Sequence, residues 1–76
     1  MRELVELMVQ SLVDYPEEAR VNEVAGESIT VYEVSVNETD LGKVIGKGGR
    51  IANAMRTIIK AAATKHDRKA TVEILS

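Results

Sequence analysis

The stretch Val44-Ile45-Gly46-Lys47-Gly48-Gly49-Arg50 places three glycines within four positions, between two segments of helical character. Glycine tolerates unusual backbone angles and lets another backbone approach closely. The helix that follows begins with unpaired N–H groups and a positive dipole end. Lys47 lies inside the loop, with Lys43 and Arg50 beside it. We interpret the stretch as a helix–loop–helix turn suited to a phosphodiester backbone; a tight turn with solvated lysines is the alternative.

Two other phosphate-binding loops do not fit this stretch. A Walker A loop requires four residues between its glycines and a hydroxyl after the lysine. Only three residues separate Gly42 from Gly46, and Gly48 stands in the place of the hydroxyl. A dinucleotide-binding fingerprint that begins at Gly46 would have Ile51 in place of its third glycine. Nucleotide hydrolysis and dinucleotide redox chemistry are therefore not expected.

Hydrophobic periodicity outward from the loop predicts six elements. In the helix after the loop, we expect Ile51, Met55, Ile58 and Ala62 to form the core stripe. A two-residue turn at Gly26-Glu27 should join the first two strands as a hairpin. The predicted helices cover residues 2–14, 41–45 and 50–65, and the predicted strands cover residues 20–25, 28–36 and 70–75.

The order of these elements predicts an α+β fold in a single domain, residues 1–76. The two helices between the second and third strands form a crossover long enough to make those strands parallel. The result is α-β-β-α-α-β, a three-stranded mixed sheet with the helices on one face. We expect the face that carries Val34 and Val36 to point to the core. Residues 4–13 are apolar on more than one face of the predicted helix, which indicates burial against the sheet or a partner surface. Ile29 and Val31 lie on the face of the second strand predicted to be exposed, which indicates a bulge or a contact surface.

The net charge of −2 conceals two oppositely charged parts of the chain. Residues 1–40 hold two basic and ten acidic residues, whereas residues 41–69 hold eight basic residues and one acidic residue. The basic block contains the glycine loop and is a candidate anion-binding surface, with a solvated helix face as the alternative. Two aromatic residues, Tyr15 and Tyr32, are too few for a base-stacking platform.

Catalytic and metal chemistry are not indicated. The chain has no cysteine, and its only histidine, His66, lies in a charged turn. No serine has a base at a recognisable spacing. No apolar stretch approaches the roughly 18–20 residues that span a bilayer, and no export signal is visible. We expect a cytoplasmic protein without catalytic residues, metal or cofactor.

The run Asp40–Arg50 resembles the signature of KH domains, which bind single-stranded RNA or DNA. Gly46, Lys47, Gly48 and Gly49 correspond to the GxxG loop of that family. The element order is similar to the type II, prokaryotic arrangement. The whole chain resembles the small stand-alone bacterial KH proteins of the KhpA type.

This resemblance implies how a site would work. The GxxG loop would clamp the backbone of about four nucleotides. Bases would turn into a groove floored by aliphatic side chains, with Val44, Ile45 and Ile51 as candidates. Arg56 and Lys60 extend the positive face along the long helix, and Lys65, Arg68 and Lys69 at its far end are secondary candidates. The implied RNA-binding residues are Lys43, Val44, Ile45, Gly46, Lys47, Gly48, Gly49, Arg50, Ile51 and Asn53.

The same resemblance implies partners and a role. The expected ligand is single-stranded RNA, and a homodimer or a heterodimer with a larger Jag/KhpB-type KH protein would add contacts. The family is linked with post-transcriptional control, as regulator or RNA chaperone, and with cell elongation or division. An alternative is an interaction adaptor that pairs with such a partner and contributes little RNA affinity itself.

Overall fold

A computed structural model describes residues 1–76. It has the predicted order of elements, with short 3-10 turns at residues 16–18, 38–40 and 47–49. The helices are α1 (Arg2–Leu12), α2 (Leu41–Ile45) and α3 (Arg50–Thr64), and the strands are β1 (Arg20–Ala25), β2 (Thr30–Ser35) and β3 (Ala70–Ile74).

The three strands form one mixed sheet in the order β1-β2-β3, as predicted. β1 pairs antiparallel with β2, with Val21 opposite Val34. β3 pairs parallel with β2, with Val72 opposite Tyr32. The parallel pairing follows from the crossover through α2 and α3, because two parallel strands cannot be joined by a tight turn.

The core lies between the helices and one face of the sheet. Tyr32 and Val34 are buried on β2, and Val36 packs against the same cluster, which confirms the predicted inward face. Val5 and Val9 are the fully buried residues of α1. The helix ends at Leu12, two residues before the predicted boundary, where Val13 turns to an extended conformation.

The predicted core stripe of α3 is partly wrong. Met55 is buried as expected, but Ile58 is 48% exposed and Ile59 is fully buried in its place. Adjacent isoleucines cannot both face the sheet, and periodicity alone favoured the wrong one. The helix face that carries Ala52 and Ala63 is the buried one, because these small side chains allow α3 to lie close to the sheet. The buried face consists of Ala52, Met55, Ile59 and Ala63.

The predicted two-residue hairpin turn is also wrong. β2 begins at Thr30, which pairs with Ala25, so the turn comprises residues 26–29. The N–H of Gly26 donates to the Ile29 carbonyl at 2.9 Å. Gly26 has no positive φ; a Cβ there would lie 2.9 Å from that carbonyl oxygen. Glycine is needed here for space rather than for its backbone angle, and Ile29 lies 42% exposed beside the turn.

None of the three helices has the length and the apolar character that crossing a membrane would require.

Candidate functional site

The glycine loop joins α2 to α3 through a run of left-handed backbone. Gly46, Gly48 and Gly49 have φ values of 76°, 65° and 79°. Side chains rarely tolerate this region, so the three positive φ values within four residues require glycine. Lys47 and Gly48 are the first two residues of the 3-10 turn, so no carbonyl within that turn is in position to accept their N–H groups. The loop therefore presents two backbone donors at exposed residues.

The glycines serve different purposes. A Cβ on Gly46 would lie 2.6 Å from Cγ1 of Ile51, so this glycine allows the first turn of α3 to pack against the loop. A Cβ on Gly48 would meet no atom within 4 Å. Gly48 therefore leaves bare backbone that a ligand can approach closely.

The basic side chains predicted around the loop differ in whether they form ion pairs with carboxylates. Lys47 and Arg50 are exposed and form no ion pair. Lys43 instead donates to the carboxylates of Asp14 and Asp40, at 3.3 Å from Asp40 Oδ1. The hydrogen bond to Asp14 is the main cause that raises the pKa of Lys43. The expectation that Lys43 serves an anionic ligand is not supported, because its charge is already matched by two carboxylates.

Asp40 has a role that the sequence did not reveal. Its carboxylate is fully buried and accepts the backbone N–H groups of Asp14 and Tyr15, both at 3.1 Å. The 3-10 turn that contains Asp40 is capped by Asn37, whose Oδ1 accepts the N–H of Thr39 at 2.9 Å. Burial opposes ionisation of Asp40, but these bonds and the Lys43 ammonium outweigh it and lower its pKa. Asp40 therefore ties the segment after α1 to the start of α2.

The predicted aliphatic floor is also corrected in part. Val44 is fully buried in the core, so it supports α2 and cannot contact a ligand. Ile45 is exposed, and Ile51 is half-buried beside Gly46. These two isoleucines are the apolar surface that remains available next to the loop.

A groove of ≈ 730 Å³ lies between α3 and β3. Asn53, at its end nearest the loop, has its amide nitrogen 3.8 Å from where a Cβ on Gly49 would lie. Its lining contains four basic side chains and no carboxylate, and none of the four forms an ion pair. The secondary candidates Arg68 and Lys69 line it, whereas Lys65 does not. The groove residues are Ile29, Asn53, Arg56, Thr57, Lys60, Thr64, Arg68, Lys69, Ala70 and Thr71.

Two groove side chains hold each other in place. Nε of Arg56 donates to the Val72 carbonyl at 2.9 Å, and Nη1 of Arg56 donates to Oδ1 of Asn53 at 2.9 Å. The sequence predicted Arg56 only as part of the positive face of the helix and not among the RNA-binding residues, although it lies one turn after Asn53. The missing signal is its reach to β3, which becomes visible only when the helix packs on the sheet.

The chain has the fold and the loop of a type II KH domain. A hairpin after the first helix, a glycine loop between two helices and a final parallel strand together define this class. A family model described as KhpA/KhpB, KH domain, matches residues 2–74. The chain therefore belongs to the KhpA/KhpB family of KH-domain proteins.

Curated relatives agree with this assignment. The chain is 56% identical to RNA-binding protein KhpA of Clostridium perfringens, over 99% of this chain and 100% of the relative. It is 52% identical to RNA-binding protein KhpA of Clostridium acetobutylicum, with the same coverage. It is 47% identical to RNA-binding protein KhpA of Borreliella burgdorferi, over 96% of this chain and 89% of the relative. No solved structure gives a significant match.

Proposed function

We propose that this protein binds single-stranded RNA through the glycine loop and the groove beside it, without catalysing a reaction. The observation that carries the proposal is that the glycine loop and a basic groove meet at Asn53. The amide of Asn53 lies next to Gly49 of the loop, and Asn53 also lines the groove, which is basic and lacks carboxylates. Such a surface suits a ligand with repeated negative charges and polar bases. The names of the curated relatives support RNA as that ligand.

The backbone of the RNA would lie on the loop. Its phosphate oxygens would accept the N–H groups of Lys47 and Gly48, and the charges of Lys47 and Arg50 would add attraction. Gly48 would allow the close approach, since no side chain covers the backbone there. Gly46 and Gly49 would hold the loop in this shape.

The bases would turn from the loop towards the groove. Ile45 and Ile51 offer the apolar contacts, and Asn53 begins the polar lining along α3. Because the chain has only two aromatic residues, aliphatic contact and hydrogen bonds would replace stacking. Lys43 and Val44 belong to the support of the site rather than to its surface.

The proposal includes a binding partner and a cellular role. A single KH domain contacts about four nucleotides, so a second module would raise affinity through effective concentration. We propose that this module is a second copy or a larger Jag/KhpB-type protein. The role would be post-transcriptional, as a regulator or RNA chaperone in the cytoplasm, with a link to cell elongation or division.

An adaptor function is the second candidate, and Leu7 is the observation that favours it. This side chain is 63% exposed in the middle of α1, on the side away from the buried Val5 and Val9. As an adaptor, the chain would pair with a protein partner and contribute little affinity for RNA.

The test replaces Lys47 and Gly48 with aspartate. Asp tolerates the left-handed region better than most residues, and open space surrounds Gly48, so the fold should persist. We expect this variant to lose binding of a short fluorescein-labelled single-stranded RNA in fluorescence anisotropy, with an unchanged circular dichroism spectrum.

A control variant with the same change in charge is Lys65→Asp with Ser76→Asp. Both residues are exposed and lie outside the loop and the groove. This control should keep most of the affinity. Equal affinity of wild type and the loop variant would contradict the loop assignment, and a wild type without measurable RNA affinity would favour the adaptor.

A further inference from the structure

Arg56 is oriented before any ligand arrives. Its guanidinium group is anchored at two nitrogens, by the Val72 carbonyl at Nε and by Asn53 Oδ1 at Nη1. A guanidinium has five N–H donors in a planar fork. Three of them therefore remain unused, in a plane that α3 and β3 fix together. Lys60, the next basic residue of the groove on α3, has no such anchor.

The edge of β3 explains why Arg56 reaches Val72. The N–H of Thr30 donates to the Lys69 carbonyl at 3.0 Å, and the N–H of Leu75 donates to the Val34 carbonyl at 2.9 Å. These bonds show that the odd-numbered residues of β3 direct their backbone N–H and C=O groups towards β2. In a parallel ladder the residues between them direct these groups away from the neighbouring strand. The N–H and C=O of Val72 consequently point away from β2, and the carbonyl meets Arg56 of α3.

The group aimed at a ligand at this position is the guanidinium of Arg56. The acceptors closest to it, the Val72 carbonyl and Asn53 Oδ1, already accept from Arg56 and so hold its orientation. The unused N–H groups of Arg56 are then the strongest donors that a base would meet there. A base is complementary to this arrangement if it presents neighbouring acceptors and no donor between them.

Guanine meets that requirement and adenine does not. The O6 and N7 of guanine are adjacent acceptors, and an arginine fork contacts both at once. Adenine places an amino donor where guanine has O6. We propose that Arg56 is a specificity-determining residue that favours guanine over adenine in the nucleotide lying against the middle of the α3–β3 groove. The inference rests on the proposed RNA-binding function and adds to it a preference that the glycine loop cannot provide.

The experiment measures anisotropy with three labelled uridine-rich RNAs that differ only in a central pair of guanines, adenines or 7-deazaguanines. Wild type should bind the guanine RNA about tenfold more tightly than the adenine RNA, within the range of a bidentate contact. The 7-deazaguanine RNA should lose most of this advantage, because it lacks the N7 acceptor.

Two variants assign the preference to a side chain. Arg56→Lys keeps the charge but loses the fork, so its guanine preference should fall to about twofold or less. Lys60→Gln should weaken binding of all three RNAs by the same factor and keep the preference. The deaza comparison needs only wild type and stands even if Arg56→Lys does not fold.

Three results would overturn the inference in distinguishable ways. Absence of RNA binding by wild type would remove the proposed function and this inference with it. Binding without a guanine preference would leave the function intact and overturn only the role of Arg56. An equal loss for all three RNAs in Arg56→Lys would assign the guanidinium to the phosphate backbone instead.

Discussion

At the scale of single residues, the glycine loop separates two properties that glycine usually combines. Gly46 has φ 76° and ψ 168°, a region essentially confined to glycine, and it also faces Ile51 too closely for a side chain. Gly48 has φ 65° and ψ 19° with open space around it. The first glycine therefore supports the fold, and the second leaves the surface bare.

Alanine substitutions should distinguish these roles. Gly46→Ala combines a forbidden backbone region with a clash, and we expect a loss of about 2–4 kcal/mol in unfolding free energy. Gly48→Ala should lower the unfolding free energy by only about 1–2 kcal/mol, which is the energy of placing alanine in the left-handed region. Urea denaturation monitored by circular dichroism measures both values. Equal losses would show that the contact with Ile51 is not what constrains Gly46.

The sequence revealed the loop but not the state of every cation beside it. Three glycines and a lysine in a row are a local pattern, visible without a structure. The pairing of Lys43 with Asp14 is not local, because 29 residues separate them. A charged residue next to a motif looks the same whether it is free or neutralised by a distant carboxylate, so Lys43 was assigned to the site. Arg56 was predicted only as part of the positive face, because its contact with β3 is not local either.

At the scale of elements, the Asp40 carboxylate joins the end of α1 to the beginning of α2. α2 has only five residues, and a helix this short has little stability of its own. The bonds from Asp14 and Tyr15 to Asp40, together with Lys43, fix where α2 starts. Since α2 ends at Gly46, this network also fixes the position of the loop.

The network predicts a dependence of stability on pH. The pKa of Asp40 is lower in the folded state than its ordinary value of 3.8. Ionised Asp40 therefore stabilises the fold fully above that ordinary value, and its contribution is lost as the pH falls through the lower, folded pKa. In Asp40→Asn this contribution is absent at all pH values. Wild type should be more stable than the variant at pH 7, and the difference should shrink below about pH 4.

Urea midpoints between pH 7 and pH 2.5 provide the measurement. Glu38→Gln is the matched control, because Glu38 is exposed in the same 3-10 turn and forms no ion pair. Its stability should follow that of wild type throughout. A constant gap between wild type and Asp40→Asn over the whole range would mean that the ionised carboxylate is not the stabilising group.

The elements themselves were largely predictable, and the exceptions have local causes. The parallel pairing of β2 and β3 follows from chain order and crossover length alone. The face of α3 did not follow, because Ile58 and Ile59 are adjacent and the buried alanines carry little weight in a hydrophobic pattern. The hairpin turn was misassigned because Gly26 suggested a tight turn, whereas it avoids a backbone contact in a longer one.

At the scale of the whole molecule, the fold places the acidic and the basic parts of the chain on different sides of the structure. The strand order puts β1, from the acidic part of the chain, at the opposite edge of the sheet from β3. The groove on the β3 side retains basic side chains without a carboxylate. A net charge of −2 is thus compatible with a local positive field at the groove, while the acidic part of the chain opposes loose binding of RNA elsewhere on the surface.

The most direct test of the central claim is a two-dimensional ¹H–¹⁵N NMR titration of the protein with a short single-stranded RNA. The account predicts the largest shifts at the backbone amides of Lys47, Gly48 and Gly49, with the Arg56 Nε–H resonance and the groove face of α3 moving in the same titration. Shifts confined to α1 and β1, with the loop amides unmoved, would contradict it.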